Sequence, residues 1–287
     1  MKYILLVLIA FLIANPVYSQ SFKEQFNELK TNQDTTRLLE LLQKWESTNP
    51  EDPELYVAYI NYFMMKSNDI VHKYENNPKE DSSQLMTKIE FNQIQENLNN
   101  GLNYIEKGII KFPSRLDMRF GKIYVLGQLE DYENFTNEII KTIDYSAVID
   151  SKWLWTDNKP FEDPLNNMLG SVQEYVMQLY NTENDSLLDN MRRISETVLK
   201  YYPEHIESMS NISVVCLLKK EYDKGLEVLF KAEKIAPEDY IMLANIAQAF
   251  KLKGDNINSI KYYEKVIQFG NEQAKAFAKE QIKELEK

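Results

Sequence analysis

The sequence is poor in the residues that most often carry out chemistry. Its 287 residues include one cysteine and two histidines, and neither His72 nor His205 has a cysteine or a second histidine at metal-ligand spacing. No Ser/His/Asp or Cys/His catalytic motif is present. The eight glycines are too scattered to form a phosphate-binding loop. We therefore expect a protein that is not an enzyme and that holds no metal and no cofactor.

Glycine and proline are also scarce, and this bears on the fold. Eight glycines and nine prolines, beside 18 tyrosines, favour long helices with aromatic packing over an all-β fold with many turns. Apolar residues make up 44% of the chain, which is enough for a buried core. Cys216 is alone, so an intramolecular disulfide is excluded. Its place on the inner face of a predicted helix indicates a small buried hydrophobe rather than a reactive thiol.

The chain lacks the positive charge that would favour binding to nucleic acid. It has 33 Lys and Arg against 44 Asp and Glu, a net charge of −11. Because an acidic protein repels phosphate backbones, we do not expect a nucleic acid partner. An enzyme built on carboxylates stays an alternative, since a catalytic pair of acids is recognised by geometry rather than by abundance.

What the sequence does contain is an internal repeat between Ile206 and Asn271. Its two copies are offset by 34 residues throughout, the period of helix-turn-helix repeats that stack on copies of themselves. In each copy a small residue, Gly225 or Ser259, allows the second helix to pack closely and antiparallel against the first. The matching residues are Met209, Asn211, Ile212, Leu218, Lys219 and Lys231 in the first copy, and Leu243, Asn245, Ile246, Leu252, Lys253 and Lys265 in the second.

The repeat resembles the tetratricopeptide repeat pattern, although Cys216 and Asn271 stand where an aromatic residue and a proline are usual. The resemblance implies an all-α fold, a TPR-like α-solenoid of stacked antiparallel helix pairs. It also implies a protein or peptide partner, bound in a concave groove that the first helix of each pair lines. The residues that carry it are Leu243, Ile246, Ala247, Phe250 and Tyr263, with Gly225, Leu229, Ala232 and Pro237 in the preceding copy.

Residues 1–19 have the features of a signal peptide. Lys2 supplies a positive start, residues 4–14 form an unbroken apolar run, and Ser19 ends a stretch suited to cleavage before Gln20. The apolar run is shorter than the roughly 20 residues that cross a bilayer. We expect an exported protein, periplasmic or secreted, with no stable membrane span after cleavage. An uncleaved anchor is the alternative.

Four parts are predicted after the signal segment. Turn-forming residues such as those of Ser67-Asn68-Asp69 indicate a loop insertion at 67–88. Pro203 lies 34 residues before Pro237, so the regular repeat period is restored by that point. The parts are residues 20–143, degenerate TPR-like helices containing the insertion; 144–164, an aromatic loop segment; 165–271, the C-terminal TPR array; and 272–287, a charged capping helix.

The resemblance also implies candidate binding residues in the groove. Asn211 and Asn245 occupy the position at which an asparagine of this family often holds the backbone of an extended peptide. Gln248 and Lys251 lie close to the same face. An amide both donates and accepts hydrogen bonds, which suits a peptide bond. The same asparagines could equally serve to hydrogen-bond one repeat to the next, so both roles stay open.

Trp153 and Trp155, in the aromatic loop segment, suggest an alternative function. Two large aromatic residues beside a polar turn could form a stacking platform for a sugar, which would make the protein a carbohydrate-binding accessory protein. They could also plug the side of the array where its period changes. Arg115 and Arg119 present a similar choice, because they share a predicted helix face and could bind an anion or pair with nearby carboxylates.

Overall fold

The computed structural model describes residues 20–75 and 87–287. The predicted signal segment, residues 1–19, lies outside these residues. Within them the chain is almost entirely helical, which confirms the predicted all-α class. The helices are α1 Phe22–Thr31, α2 Thr35–Thr48, α3 Pro53–Glu75, α4 Lys88–Lys111, α5 Leu116–Gln128, α6 Tyr132–Val148, α7 Pro164–Tyr180, α8 Leu188–Tyr201, α9 Ile206–Leu218, α10 Tyr222–Ile235, α11 Tyr240–Lys253, α12 Asn256–Phe269 and α13 Glu272–Leu285.

The helices stack as antiparallel pairs, so the fold is a TPR-like solenoid. In the pair α11/α12, Ser259 Oγ donates to the carbonyl oxygen of Ala247 at 2.8 Å, and the Tyr263 hydroxyl donates to Gln248 Oε1 at 3.0 Å. Around Pro203 and Pro237, α8 packs on α9 and α10 packs on α11. The segments on either side of these prolines are therefore successive hairpins that lie side by side, as the 34-residue period predicts.

Small residues set the distance between paired helices. Cβ atoms added at Gly225 of α10 would lie 3.3 Å from Cys216 Cβ and from Leu217 Cδ2 of α9. Ser259 is fully buried at the corresponding place between α11 and α12. The prediction that these two residues allow close helix packing is confirmed. Cys216 is itself buried, and burial raises the pKa of its thiol, which therefore stays protonated.

The predicted loop insertion at 67–88 is wrong for residues 67–75 and at its end. Helix α3 continues to Glu75, and α4 begins at Lys88. Ser67 is buried against α4, and its hydroxyl donates to the carbonyl oxygen of Phe63 one helical turn earlier. Packing against α4 outweighs the local preference of these residues for a turn. Residues 76–86 lie outside the described residues.

Helix α1 lies at the start of residues 20–143, the part predicted as degenerate TPR-like helices. Ser21 and Glu24 form a capping box, in which the serine oxygen accepts from the Glu24 backbone N–H and the glutamate accepts from the Ser21 backbone N–H. Phe26 of α1 is buried, and the ring of Phe22 stacks on Trp45 of α2 at 5.6 Å between centroids. The stack of helices thus begins with α1, which packs against α2.

A short hairpin fills the junction between α6 and α7. Its strands are β1 Leu154–Trp155 and β2 Lys159–Pro160, joined by a 3₁₀ turn at Thr156–Asn158. The predicted break at 144–164 starts too early, because α6 continues to Val148. Ser146, inside the predicted break, is buried on α6, where its Oγ accepts the indole N–H of Trp153 at 3.0 Å.

A buried ion cluster attaches this hairpin to the N-terminal helices. Arg115 is fully buried and makes two hydrogen bonds to Asp117, at 2.8 and 2.7 Å, and an ion pair with Glu54 at 2.8 Å. Arg115 Nη1 also donates to Asn158 Oδ1 at 3.2 Å, and Glu54 accepts the backbone N–H of Asp157 at 2.9 Å. Helices α3 and α5 and the hairpin therefore share one set of buried charges.

Arg119 is paired in the same way. Its Nη1 donates to Glu138 Oε1 at 3.3 Å, and Glu138 also binds Lys122 at 2.7 Å. Both arginines thus have buried carboxylate partners, as the structural interpretation of Arg115 and Arg119 predicts.

Helix α13 closes the C-terminal end of the stack. Ala278 is fully buried against Leu243, Tyr263 and neighbouring residues of α11 and α12. The outer surface of α13 is mostly charged, which suits a terminal helix. None of the helices in the two described ranges is long and apolar enough to cross a membrane.

A substitution at Gly108 tests the distance at which α3 and α4 pack. An added Cβ would lie 2.8 Å from Tyr56 Cβ and 3.0 Å from Met118 Sδ. We expect Gly108→Ala to lower the free energy of unfolding by about 1–3 kcal/mol, because overpacking outweighs the gain in helix propensity. Urea unfolding followed by circular dichroism measures the change.

Gly170→Ala is the matched control for this substitution. Gly170 lies inside α7 and has nothing within 4 Å of an added Cβ. Because only helix propensity changes at this position, we expect Gly170→Ala to raise the free energy of unfolding by about 0.5–1 kcal/mol. Equal effects at the two glycines would show that α3 and α4 do not pack at the distance described.

The buried ion cluster predicts a large cost for removing its buried cation, Arg115. We expect Arg115→Met to lower the free energy of unfolding by about 3–5 kcal/mol, because Asp117 would be left as an uncompensated charge and Glu54 would keep only the partly exposed Lys23, 3.3 Å away. The control is Arg193→Met, which removes a half-exposed ion pair with Glu133 and should cost less than about 1 kcal/mol. Costs of similar size, measured by urea unfolding, would contradict the buried cluster.

Candidate functional site

The first helices of the pairs α7/α8, α9/α10 and α11/α12 line one side of the stack. Helix α9 contacts α11 directly, whereas the second helices α10 and α12 meet mainly through long side chains such as Lys265 and Glu233, 2.6 Å apart. Two short side chains connect α11 to α9, because Asn245 Nδ2 donates a hydrogen bond to Ser210 Oγ at 2.9 Å. The first helices of these pairs are therefore closer together than the second helices, and we call the exposed surface of the first helices the groove.

Asn211 is a hydrogen-bonding residue of the helix stack. It is 7% exposed, and both ends of its amide are bound to Gln173 of α7: Asn211 Nδ2 donates to Gln173 Oε1 at 2.7 Å, and Gln173 Nε2 donates to Asn211 Oδ1 at 3.3 Å. This reciprocal pair links α7 to α9. Of the two roles that the sequence left open, the position of Asn211 favours the connection between repeats.

Asn245 and Gln248 keep part of their hydrogen-bonding capacity. Asn245 donates to Ser210, but its Oδ1 has no partner among the described residues. Gln248 Oε1 accepts from Tyr263, and its Nε2 has no partner in the same part of the chain. Both side chains are half-buried on one face of α11. An open acceptor and an open donor therefore lie one helical turn apart on the groove.

The Tyr263 hydroxyl fixes the orientation of Gln248. Burial raises the pKa of Tyr263 to about 12, so the phenol stays protonated and donates to Gln248 Oε1 at neutral pH. The amide nitrogen of Gln248 is then the end that faces away from this bond.

Lys251, the fourth predicted groove residue, binds the capping helix. Its Nζ donates to Gln281 at 2.6 Å and forms an ion pair with Glu284 at 2.9 Å, both on α13. It lies on the same helix as Asn245 and Gln248 but is used to attach the cap.

Helix α7 adds residues to the groove that sequence reasoning missed. A shallow depression of about 460 Å³ lies along its C-terminal half, lined by Gln173, Glu174, Met177 and Gln178 among others. Met177 is exposed. A signal for it was available, because Met177 lies 34 residues before Asn211, and Asn211 lies 34 residues before Asn245. The repeat was traced only from Ile206, where the two copies match in several residues.

The aromatic loop segment does not present a two-ring platform. Trp153 is 1% exposed and packs in the core against Tyr145 of α6 and Arg119 of α5. Trp155 is half-buried, and its ring stacks on Phe161 at 4.5 Å between centroids. The two tryptophans fill the α6/α7 junction. Trp153 is buried, so the interpretation of Trp153 and Trp155 as one sugar-binding surface is wrong, and one face of Trp155 is covered by Phe161.

Of the two histidines, His205 has a structural role. His205 caps α9, because its Nδ1 accepts from the backbone N–H of Ser208 at 3.3 Å. Burial lowers the pKa of His205, which favours the neutral ring that this bond requires. No group of three or more His, Cys, Asp or Glu side chains that could hold a metal ion occurs in residues 20–75 and 87–287.

Comparison with known proteins adds structural neighbours only. No protein-family model matches the chain, and no curated protein matches its sequence. Similar solved structures include YrrB, a TPR protein with an unusual peptide-binding site (14% identity, 83% of this chain and 97% of that chain covered, TM-score 0.43). Others are MamA from Desulfovibrio magneticus RS-1 (12%, 71% and 94%, 0.39) and a tetratricopeptide repeat protein from Parabacteroides merdae ATCC 43184 (11%, 93% and 98%, 0.37).

These likenesses are too low to carry a functional argument. What defines the fold is the chain's own stack of antiparallel helix pairs and its 34-residue period. The chain has an all-α, TPR-like fold.

Proposed function

We propose that this protein is an exported, non-catalytic scaffold that binds a protein or peptide partner through its groove. The observation that carries the proposal is the open acceptor of Asn245 beside the open donor of Gln248. A peptide bond offers one N–H and one carbonyl oxygen, and these two amides match both. Met177, exposed farther along the groove, adds an adaptable apolar contact.

The placement of charged residues supports a role without catalysis. The buried charged side chains of the described residues are Glu54, Arg115, Arg119 and Glu138, and each has a partner of opposite sign within 3.3 Å. Paired charges of this kind hold helices together and leave no buried carboxylate free to act as an acid or base. The same pairing gives no support to the carboxylate-enzyme alternative.

Export is proposed from the signal-like segment at residues 1–19. The position of α1 supports it, because the first described helix begins at Phe22, just after the expected cleavage before Gln20. Amino-terminal sequencing of the protein recovered from the envelope or the medium would decide this point. A mature chain that starts at Met1 would contradict cleavage.

Site-specific photo-crosslinking tests the groove in the cells that make the protein. We expect a photo-reactive phenylalanine at Met177 or Gln248 to give a defined crosslinked band. The same group at Ile257, which is 83% exposed on the second helix α12, should not give that band. The measurement is gel separation of the crosslinked products, followed by mass spectrometry of the attached partner.

A double variant connects the crosslink to the open amides. Asn245→Ala with Gln248→Ala should reduce the Met177 crosslink about tenfold, since it removes two hydrogen bonds to the partner of roughly 0.5–1.5 kcal/mol each. Asn211→Ala is an unsuitable control because it breaks the link to Gln173. The groove proposal fails if Ile257 yields the same band, or if the double variant leaves the Met177 crosslink unchanged.

A further inference from the structure

A compact cavity lies at the loop end of the pair α7/α8, beside the groove. Its volume is about 270 Å³, and it opens where the end of α7, the start of α8 and the end of α9 meet. Its floor is formed by Leu179, Leu188 and Met191, all of them buried. The cavity is therefore an apolar depression between three helices, and it contains none of the predicted groove residues.

Two exposed apolar side chains stand at its mouth. Leu218 of α9 is 48% exposed and Tyr180 of α7 is 43% exposed, and both line the cavity. Apolar groups inside and around one opening form a continuous surface that a second apolar group could cover.

The size of the cavity favours a single side chain as the occupant. Pockets for cofactors and drug-sized molecules usually measure about 300–1,000 Å³. A dry cavity of about 150 Å³ is enough to bind benzene. A volume of about 270 Å³ thus suits a Leu, Met or Phe side chain with room for its first methylene groups, and is small for a cofactor.

The polar part of the lining carries negative charge only. Glu183 and Asp185 line the cavity, both are exposed, and neither takes part in an ion pair within the described residues. No Lys or Arg is among the lining residues. Two nearby acids, in contrast, do form ion pairs: Asp189 is paired with Lys219, and Glu221 is paired with Arg192 at 3.2 Å.

The loop that carries these two acids is ordered. The hydroxyl of Thr182 donates to the carbonyl oxygen of Leu179 at 2.7 Å. Asn184 Oδ1 accepts from the backbone N–H and the hydroxyl of Ser186, at 3.0 and 2.7 Å. Because the loop has these hydrogen bonds of its own, the backbone that carries the two carboxylates is held beside the opening without a bound partner.

We propose that this cavity is a docking site for one apolar side chain of a partner polypeptide that has Lys or Arg next to that side chain. The apolar side chain enters the cavity, and the flanking cations meet Glu183 and Asp185. The docking site does not require the open amides of Asn245 and Gln248. An experiment can therefore support or contradict it independently of the proposed groove function.

Methyl NMR on the purified protein tests the docking site. The probe is a nine-residue peptide with one central Phe, two Lys on each side of it and Gly-Ser ends. With ¹³C-methyl methionine labelling, we expect the Met191 methyl signal to shift saturably, while the methyl of Met242, buried in α11, does not. The expected Kd is about 1 mM or tighter, as one buried side chain with flanking ion pairs allows.

Two altered peptides separate the apolar contribution from the charge contribution. Replacing the central Phe by Ser should weaken binding about tenfold or more. Replacing the four Lys by Glu should weaken it about two- to fivefold or more in low salt, and the difference should shrink as salt is added. Equal binding of the Ser peptide would mean simple charge attraction and would overturn the proposal. A glutamate peptide that binds as tightly as the lysine peptide would also overturn it.

Protein variants place the binding at the cavity. Leu218→Glu should weaken binding of the Phe peptide about tenfold. Leu252→Glu, at the same repeat position 34 residues later and 44% exposed, should leave it unchanged. Glu183→Gln with Asp185→Asn should reduce binding about two- to fivefold, against no change for the exposed pair Glu264→Gln with Glu280→Gln.

The outcomes decide between the docking site and its alternatives. No shift of the Met191 methyl with the Phe peptide at millimolar concentration overturns the proposal. Equal losses for Leu218→Glu and Leu252→Glu overturn it as well, since they would show that the loss does not depend on the cavity. Because Asn245 and Gln248 are unchanged in every variant, failure here leaves the groove crosslinks to be judged on their own.

Discussion

The structure depends on the fact that no helix pair in it can bury its apolar face alone. Each pair exposes one apolar side to the next, and stacking removes that surface from water, at roughly 25 cal/mol for each Å² of apolar area. The apolar clusters follow one another along the chain, from Phe26 in α1 to Ala278 in α13. Small residues such as Gly108, Gly225 and Ser259 are required by this packing, because any larger side chain would separate the helices that must cover each other.

A stack built this way has two kinds of weak point, its ends and any place where the period changes. At the C-terminal end α13 covers the last helix pair, and Lys251 of α11 binds α13 through Gln281 and Glu284. At the change of period after α6, the hairpin that follows Trp153 fills the space. Arg115, Glu54 and Asp117 then join that hairpin to α3 and α5. Trp153 and Arg115, which the sequence offers as candidate ligand-binding residues, instead stabilise this irregular junction.

The groove contains the same residue type in two different hydrogen-bonding environments. Asn211 and Asn245 lie one repeat apart and are equivalent in the sequence, yet Asn211 has a glutamine partner on α7 and Asn245 has only a serine on α9. The second amide atom of Asn211 is therefore used within the protein, while that of Asn245 is open. The difference arises from the neighbouring helix: α7 offers the Gln173 amide to Asn211, whereas the corresponding residue of α9 is Glu207, which lies beside His205, and Asn245 bonds to Ser210 instead. More amide atoms without a partner therefore lie at α11 than at the α7/α9 contact, among the described residues.

The sequence by itself determined the helical class, the 34-residue period, the paired packing around Pro203 and Pro237 and the identity of the small contact residues, because these follow from local periodicity and side-chain size. Tertiary structure alone decided that Ser67 lies within a helix, that α6 passes through Ser146, and that Trp153 is core. It also decided which amides are open and where three helices leave the cavity below Leu218. Contacts between distant residues, such as Ser67 with Ile94, 27 positions away, and Asn211 with Gln173, 38 positions away, leave no periodic signal in the sequence.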